Sequence, residues 1–368
     1  MDVPKTIVSS SPHLHARSST ASIMWDVSIA LAPAALWGVY VFGLRALAVL
    51  LVSIASSVLV EYLLNRFSKE STLADGSAFL TGLLIGMNMP PDAAFAVPVI
   101  ASAFAMFVVK WTFGGLGANW INPALAGRVF VFFSFTGLMN TYRLPRTLGS
   151  VDALGSASML TEMKLAIGEG TVGQLSSAGI LASLDYPFTS FAGSVSSWFQ
   201  EVLGITLSPY TVDAFFGNIS GCIGEVSAFL LLAGAAYLFI RKVITWQIPV
   251  TFLATFSLLA WIFGGVRNGL GLFQGDFVLQ LFSGGMILGA FFMATDMVTS
   301  PTTSKGMLIF GAGIGFFAFL LRYFGSLPES VSLAIIVMNI FVPTIDRYIL
   351  PKRFGEVIVE PKKKEAKA

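Results

Sequence analysis

The sequence predicts an all-α, polytopic membrane protein: about ten transmembrane helices, built as two inverted five-helix repeats with broken helices. Three observations predict it. Of 368 residues, 55% are hydrophobic and 11% charged, with a mean hydropathy of +0.79, whereas soluble domains carry about 25% charge. Runs such as Val250 to Gly264 and Met307 to Tyr323 are almost free of charge, and a helix needs about 20 mainly apolar residues to cross the hydrocarbon core. Finally, the two halves share an ordered pattern. Gly82-x-x-x-Gly86 leads into Pro90–Pro91, then Asn119-Trp-Ile-Asn-Pro123 with Arg128 beyond; Gly285-x-x-x-Gly289 leads into Thr299-Ser-Pro301, then Asn339-Ile-Phe-Val-Pro343 with Arg347 beyond.

Residues 1–24 are Ser-rich and polar, and Met1 to Arg17 has no apolar h-region, so no cleavable signal peptide is expected. Five passes follow, near 25–43, 46–65, 77–89, 93–112 and 120–140, and make a first membrane repeat over 25–140. Five more, near 222–241, 246–265, 278–294, 306–325 and 331–349, make a second over 222–350. The third and eighth are short or Gly-interrupted and run into prolines. An odd number of passes per repeat turns the second copy upside-down, and such repeats meet around a site near the midplane. Taken alone, the glycine pairs read equally well as helix-packing contacts.

Between the repeats lies a long polar insertion, 141–221; a basic tail, 351–368, ends the chain. With both termini cytoplasmic, fifteen Lys and Arg fall on the inner side and six on the outer, with Arg128 inside a helix. That bias is the expected one, and it turns the insertion outward.

The single cysteine, Cys222, excludes an internal disulfide and an iron–sulfur cluster held by this chain alone; a small buried thiol is the common reading. His13 and His15 precede the first pass, which excludes a His-ligated haem in the membrane. No metal site, dinucleotide fingerprint or nucleic-acid partner is expected: the Gly-rich runs sit in membrane helices. Asp296, in Ala294–Pro301, stands at a Gly- and Pro-broken helix. At the bilayer centre a carboxylate costs about 2.5–3.5 kcal/mol on insertion scales. Asp296 is therefore either an interfacial helix cap or a paired, solvated, protonated or cation-binding group. Glu225 reads as a residue near a helix start, and Arg128 as either snorkelling or functional.

The insertion opens with Val151 to Thr161, a small, hydroxyl-rich stretch. Its composition alone reads as a loop.

Several motifs together resemble a known family: Ser11-Pro12-His13, Glu61-Tyr62-Leu63, Asp75-Gly-Ser77, Phe113-Gly-Gly-Leu-Gly117 through Arg128, Gly224-Glu225-Val-Ser227, and Phe292-Met-Ala-Thr-Asp296 through Ser300–Pro301. The chain is similar, over about residues 10 to 350, to the RnfD proteins of the Rnf electron-transport complex, and more distantly to the NqrB proteins of the sodium-pumping NADH:quinone oxidoreductase. The resemblance implies a urea-transporter-like core in a bacterial or archaeal cytoplasmic membrane. It implies a complex that moves electrons between reduced ferredoxin and NAD, coupled to Na⁺ or H⁺ translocation. It further implies a covalent FMN on the outer side, installed by a flavin transferase. The partners implied are other membrane and peripheral subunits, one of them also flavin-bearing. Some relatives hold a second, non-covalent flavin such as riboflavin, which the sequence does not locate. NAD and ferredoxin would bind other subunits.

The family's attachment motif is Ser-Gly-Ala-Thr after an Asp. Here Asp152 is followed by Gly155-Ser156-Ala157-Ser158, with Thr161 three residues on, so Ser158 matches the acceptor and the Ser–Gly pair is inverted. Ser156 and Thr161 are the alternative hydroxyls. Asp152 would orient a metal or the backbone during transfer. Arg143 and Arg146 read as phosphate-screening or simply solvated. The inverted repeats by themselves would equally suit a urea- or ammonium-type channel, and a structural scaffold is the third reading.

Overall fold

The computed structural model describes residues 19–67, 72–146, 157–168, 175–325 and 330–350. Asp152, Gly155, Ser156, the Ser11–His13 motif and the basic tail lie outside the described residues. Among the described residues the chain is helical, with no β-strand. It is a multi-pass membrane protein. Four helices are long and apolar enough to cross a bilayer: α1 (Thr20–Phe42), α2 (Leu44–Asn65), α15 (Ser304–Tyr323) and α16 (Val331–Tyr348). Five shorter apolar helices accompany them: α3 (Ser77–Met87), α4 (Ala96–Trp111, π-helical from Phe104), α5 (Pro123–Ser134), α11 (Ala228–Ile240) and α12 (Gln247–Phe263). A short helix, α6 (Thr136–Met139), follows α5.

Helix α1 begins at Thr20, five residues before its apolar run. Ser19 caps it by accepting from Ser22 N–H, so the cap sets the start and hydropathy does not. Among its described residues the insertion contains four helices: α7 (Met159–Gly168), α8 (Ser177–Ser183), α9 (Ser190–Leu203) and α10 (Pro209–Phe216). Met159, Leu160, Met163, Ile180, Leu181, Tyr186 and Tyr210 give it an apolar core of its own. A polar-looking stretch thus folds over a small core, which amphipathic helices of this length can share.

The membrane part packs through small residues. Helix α3 crosses α2 at Gly82 and Gly86, where a Cβ on Gly82 would lie 2.7 Å from Ile54 Cα and 2.9 Å from Ser53 O. Ser53 Oγ donates to Gly82 O at 2.8 Å and Ser102 Oγ to Ser53 O at 3.1 Å, which stitches α2, α3 and α4 together. The second glycine pair behaves differently. Gly284 and Gly285 take φ of +62° and +68°, a conformation that costs glycine little, and break the segment between α13 (Phe277–Leu281) and α14 (Met286–Leu288). A π-helical turn, Gly289–Met293, continues from α14, and Gly289 packs against Val331. The same letters therefore pack one helix and interrupt another.

Across the halves α1 packs on α11 and α5 on α16; within them α2 packs on α3 and α12 on α15. The non-helical residues before α11 run along the end of α3. Ile223 N–H donates to Met89 O at 3.1 Å and Gly224 N–H to Met87 O at 2.7 Å.

Arg128 does not snorkel, and Glu225 stands two residues before Ser227, the N-cap of α11, near a helix start as expected. Both are buried, at 3% and 5% exposure, with Arg128 Nη2 3.5 Å from Glu225 Oε1. Arg128 also donates to Ser332 Oγ and, at 3.7 Å, to Cys222 Sγ. The reason is position: Arg128 lies on the face of α5 turned to α16, too deep for its head to reach water.

Two outcomes check this packing. Gly82→Leu should cost about 2–3 kcal/mol or more by forcing α3 off α2, whereas Gly137→Ala, with no atom within 4 Å, should change detergent-solubilised thermal stability little. Arg128→Met should cost about 3–5 kcal/mol by leaving Glu225 unpaired in the interior; the double replacement with Glu225→Leu should lose less than the two single losses together, measured as a double-mutant cycle.

Candidate functional site

The motif residues gather at two clefts. Ser158 lies at the first, with Met159, Leu160, Ile219, Ser220, Gly221, Glu225, Ser283 and Gly284. Ser158 precedes α7 and its Oγ accepts from Thr161 N–H at 3.3 Å. The Ser158 and Thr161 hydroxyls share a 2.8 Å hydrogen bond, and Ser220 Oγ reaches Ala157 O at 3.4 Å. Four of the eight neighbours are Ser or Gly, so the backbone is closely approachable. Of the sequence candidates, Ala157, Ser158 and Thr161 are thus brought together.

Their chemistry fits a phosphoester. An ester oxygen at Ser158 Oγ keeps the lone pair that accepts from Thr161 N–H, and the start of a ten-residue helix presents amide donors to an anion. Access is the constraint: Ser158 is 5% exposed and the cleft measures about 10 Å³. Arg143 and Arg146 do not contribute. Arg143 pairs with Asp92 at 3.7 Å in the open, and Arg146 packs over Gly43. The cations beside α7 are Lys164 and Arg322. Lys164 Nζ donates to Gly325 O at 3.1 Å; burial, with Arg267 and Arg322 nearby, pushes its pKa down to about 8. Arg322 is buried and donates to Gln280 O at 2.6 Å, Ser283 O at 3.3 Å and Gly284 O at 2.9 Å.

The second cleft is a cavity of about 370 Å³ among α1, α3, α11 and the segment that ends at Val298. That is within the range of small-molecule sites, which are mainly apolar with a few placed polar groups. The polar groups are Thr20, Ser77, Thr81, Lys110, Asn119, Asn122, Thr295 and Asp296. Asp296 accepts from Thr299 Oγ1 at 3.1 Å and Val298 N–H at 3.4 Å, so it both organises the turn and faces the cavity.

Lys110, which falls near the inner end of the pass placed at 93–112, is buried here. Its Nζ donates to Glu61 Oε1 at 2.6 Å and to Ser77 Oγ at 2.7 Å. Ser77 Oγ donates in turn to Asp75 Oδ1 at 2.6 Å, and Thr72 Oγ1 to Glu61 Oε1 at 2.5 Å. The Glu61 and Asp75–Ser77 motifs thus meet at one ion pair whose partners are 49 residues apart. A lone lysine closing an apolar run was the available signal; its depth was not legible. With Lys110 and Arg322 set aside, one from each side, the charge bias keeps its sign.

One short segment joins the two clefts. Ser283 and Gly284 line the Ser158 cleft, and Phe291, Phe292, Thr295 and Asp296 line the cavity. At the rise of a helix, about twelve residues span no more than about 20 Å. Asn122 caps α5 and also donates to Met293 O at 3.4 Å, which pins the middle of this segment. Among the described residues no group of three or more His, Cys, Asp or Glu could hold a metal ion.

The model of the NQR2, RnfD, RnfE family matches residues 7–355. The D component of a proton-translocating ferredoxin:NAD(+) oxidoreductase complex from Clostridium ljungdahlii is 40% identical over 349 residues, 95% of this chain and 96% of its own. The D component of a Na(+)-translocating ferredoxin:NAD(+) oxidoreductase complex from Acetobacterium woodii is 38% identical over 98% of both chains. The D component of an ion-translocating oxidoreductase complex from Stutzerimonas stutzeri is 37% identical over 92% of this chain and 93% of its own. With motifs, fold and near-complete alignment in agreement, the chain belongs to the NQR2, RnfD, RnfE family.

Proposed function

We propose that this chain is the membrane relay of an ion-translocating ferredoxin:NAD oxidoreductase complex, with an FMN esterified through its phosphate to Ser158 and an ion path at Asp296. The observation that carries the reading is the Ser283–Asp296 segment, which lines the acceptor hydroxyl's cleft at one end and the carboxylate's cavity at the other. The flavin, when bound, would supply one- and two-electron transfer. The chain's part is to hold and position. Thr161 steadies the ester oxygen, the small residues around Ser158 admit a phosphate, and Arg322 keeps positive charge behind the cleft. Because Ser158 is buried once α7 packs on the insertion core, a flavin transferase must reach it before that docking.

The insertion would face outward and both termini the cytoplasm of a bacterial or archaeal cell, which puts the cavity on the inner side. The contact pattern supports ten passes in two inverted repeats: α1, α2, α3, α4 and α5 answer to α11, α12, the broken α13–α14 segment, α15 and α16. The cavity's size and mainly apolar wall, with Asn119 and Asn122 on it, also suit a second, non-covalent flavin such as riboflavin. NAD and ferredoxin would act at other subunits, one of them also carrying flavin. The urea- or ammonium-type channel is the weaker reading, because the relatives at 40% and 38% identity are named as subunits of ferredoxin:NAD(+) oxidoreductase complexes.

In chain made together with the transferase, a denaturing gel should show flavin fluorescence that Ser158→Ala abolishes and Ser156→Ala and Thr161→Ala retain. A dark wild-type band would favour the channel. In the assembled complex in vesicles, Asp296→Asn should lower ion uptake about tenfold or more, the scale of losing a group worth roughly 1.4 kcal/mol, and leave flavin attachment intact. Unchanged uptake would remove Asp296 from the path.

A further inference from the structure

We propose that α9 is an interfacial helix that lies in the headgroup layer of the leaflet on the insertion's side, seated on lipid. At about 100° per residue, Phe191, Val195, Trp198 and Val202 fall on one stripe, and Ser190, Ser194, Ser197 and Glu201 on the flank beside it. Phe191, Trp198 and Val202 are 52%, 53% and 58% exposed, and Ala192 is the helix's buried residue. The helix rests on α10, with Phe191, Trp198 and Val202 leaving its apolar stripe largely uncovered. Thr189 caps its start and Gly204 ends it, so it is a defined element with an open face.

Continuity with the lipid-facing surface identifies the occupant. Phe191 meets the Phe216 ring edge-on at 5.4 Å, and Phe216 lies 6.0 Å from Phe229. Phe229 sits in the first turn of the apolar helix α11 and is 47% exposed. The stripe of α9 is thus an extension of the surface that α11 turns to lipid. Exposed Phe188, Leu203 and Ile205 widen it, and Trp198 suits the interface. From Tyr186 to Pro209 the only charged residue is Glu201. Apolar burial, and not attraction to anionic headgroups, therefore seats the helix. It would brace the insertion, and with it α7 and Ser158, against the membrane plane. The seating itself does not depend on flavin attachment.

The test uses the full chain in nanodiscs of neutral phosphatidylcholine, and the assembled complex in the same lipid. Val202→Cys and Ser194→Cys are labelled with an environment-sensitive dye, with buried Cys222 as the unlabelled background. A nitroxide placed high on the lipid acyl chain should quench the dye at 202 about threefold more than the dye at 194, with iodide showing the reverse order. Both should persist in the complex, and the nitroxide contrast should be unchanged on replacing neutral with anionic lipid. Equal quenching of both positions by iodide would overturn the proposal. So would shielding of the 202 dye from lipid and iodide alike in the complex, which would mark a protein partner.

Discussion

A peptide group left without a hydrogen bond in hydrocarbon costs several kcal/mol, and the rest of this structure depends on how that cost is avoided. Among the described residues, the non-helical stretch before α11 and the break at Gly284–Gly285 both lie between apolar helices, and at each the other elements supply the missing partners. Met87 and Met89 carbonyls at the end of α3 accept from Gly224 and Ile223. Arg322, from α15, takes the carbonyls of Gln280, Ser283 and Gly284. Asn122, from the start of α5, reaches Met293 O. Neither half could keep its breaks without its neighbours.

The buried charges follow from the same constraint. A guanidinium that satisfies broken backbone must lie inside, and a carboxylate beside it must then be paired. Arg128 and Glu225 tie the first half to the segment before α11; Lys110, paired with Glu61, lines the cavity. Such pairs add little net stability over well-packed apolar residues, but breaking one is costly. They therefore fix geometry, holding the Ser158 cleft and the Asp296 cavity at a set separation, joined by a segment whose ends cannot drift.

Much of the fold was legible in the sequence because lipid imposes one rule on every pass. The passes placed at 46–65 and 246–265 match Leu44–Asn65 and Gln247–Phe263 closely. What hydropathy hides is local chemistry. Ser19 starts α1 early, and Ser176, Thr189 and Ser227 cap helices inside and after the insertion, signals visible in the letters but weak beside a long apolar run. Depth is hidden too. Lys110 and Arg322 fall near the ends of the passes placed at 93–112 and 306–325, and only partners far along the chain show that they are buried. Of the site, Asp296 at a broken helix was legible; Ser158 came only with the family resemblance, its own stretch reading as a loop, and the connection through residues 283–296 was not legible, since the two like glycine pairs behave in unlike ways.

The most direct measurement of this account is hydrogen–deuterium exchange on the full chain in lipid, resolved at residues 222–227 and 283–296. If the breaks are satisfied from inside, the amides of Ile223 and Gly224 and those of the Gly289–Met293 turn should exchange as slowly as the middle of α2. Exchange as fast as at exposed Phe67 would show that water reaches the breaks, and would contradict the claim that the clefts are held by an internally bonded framework.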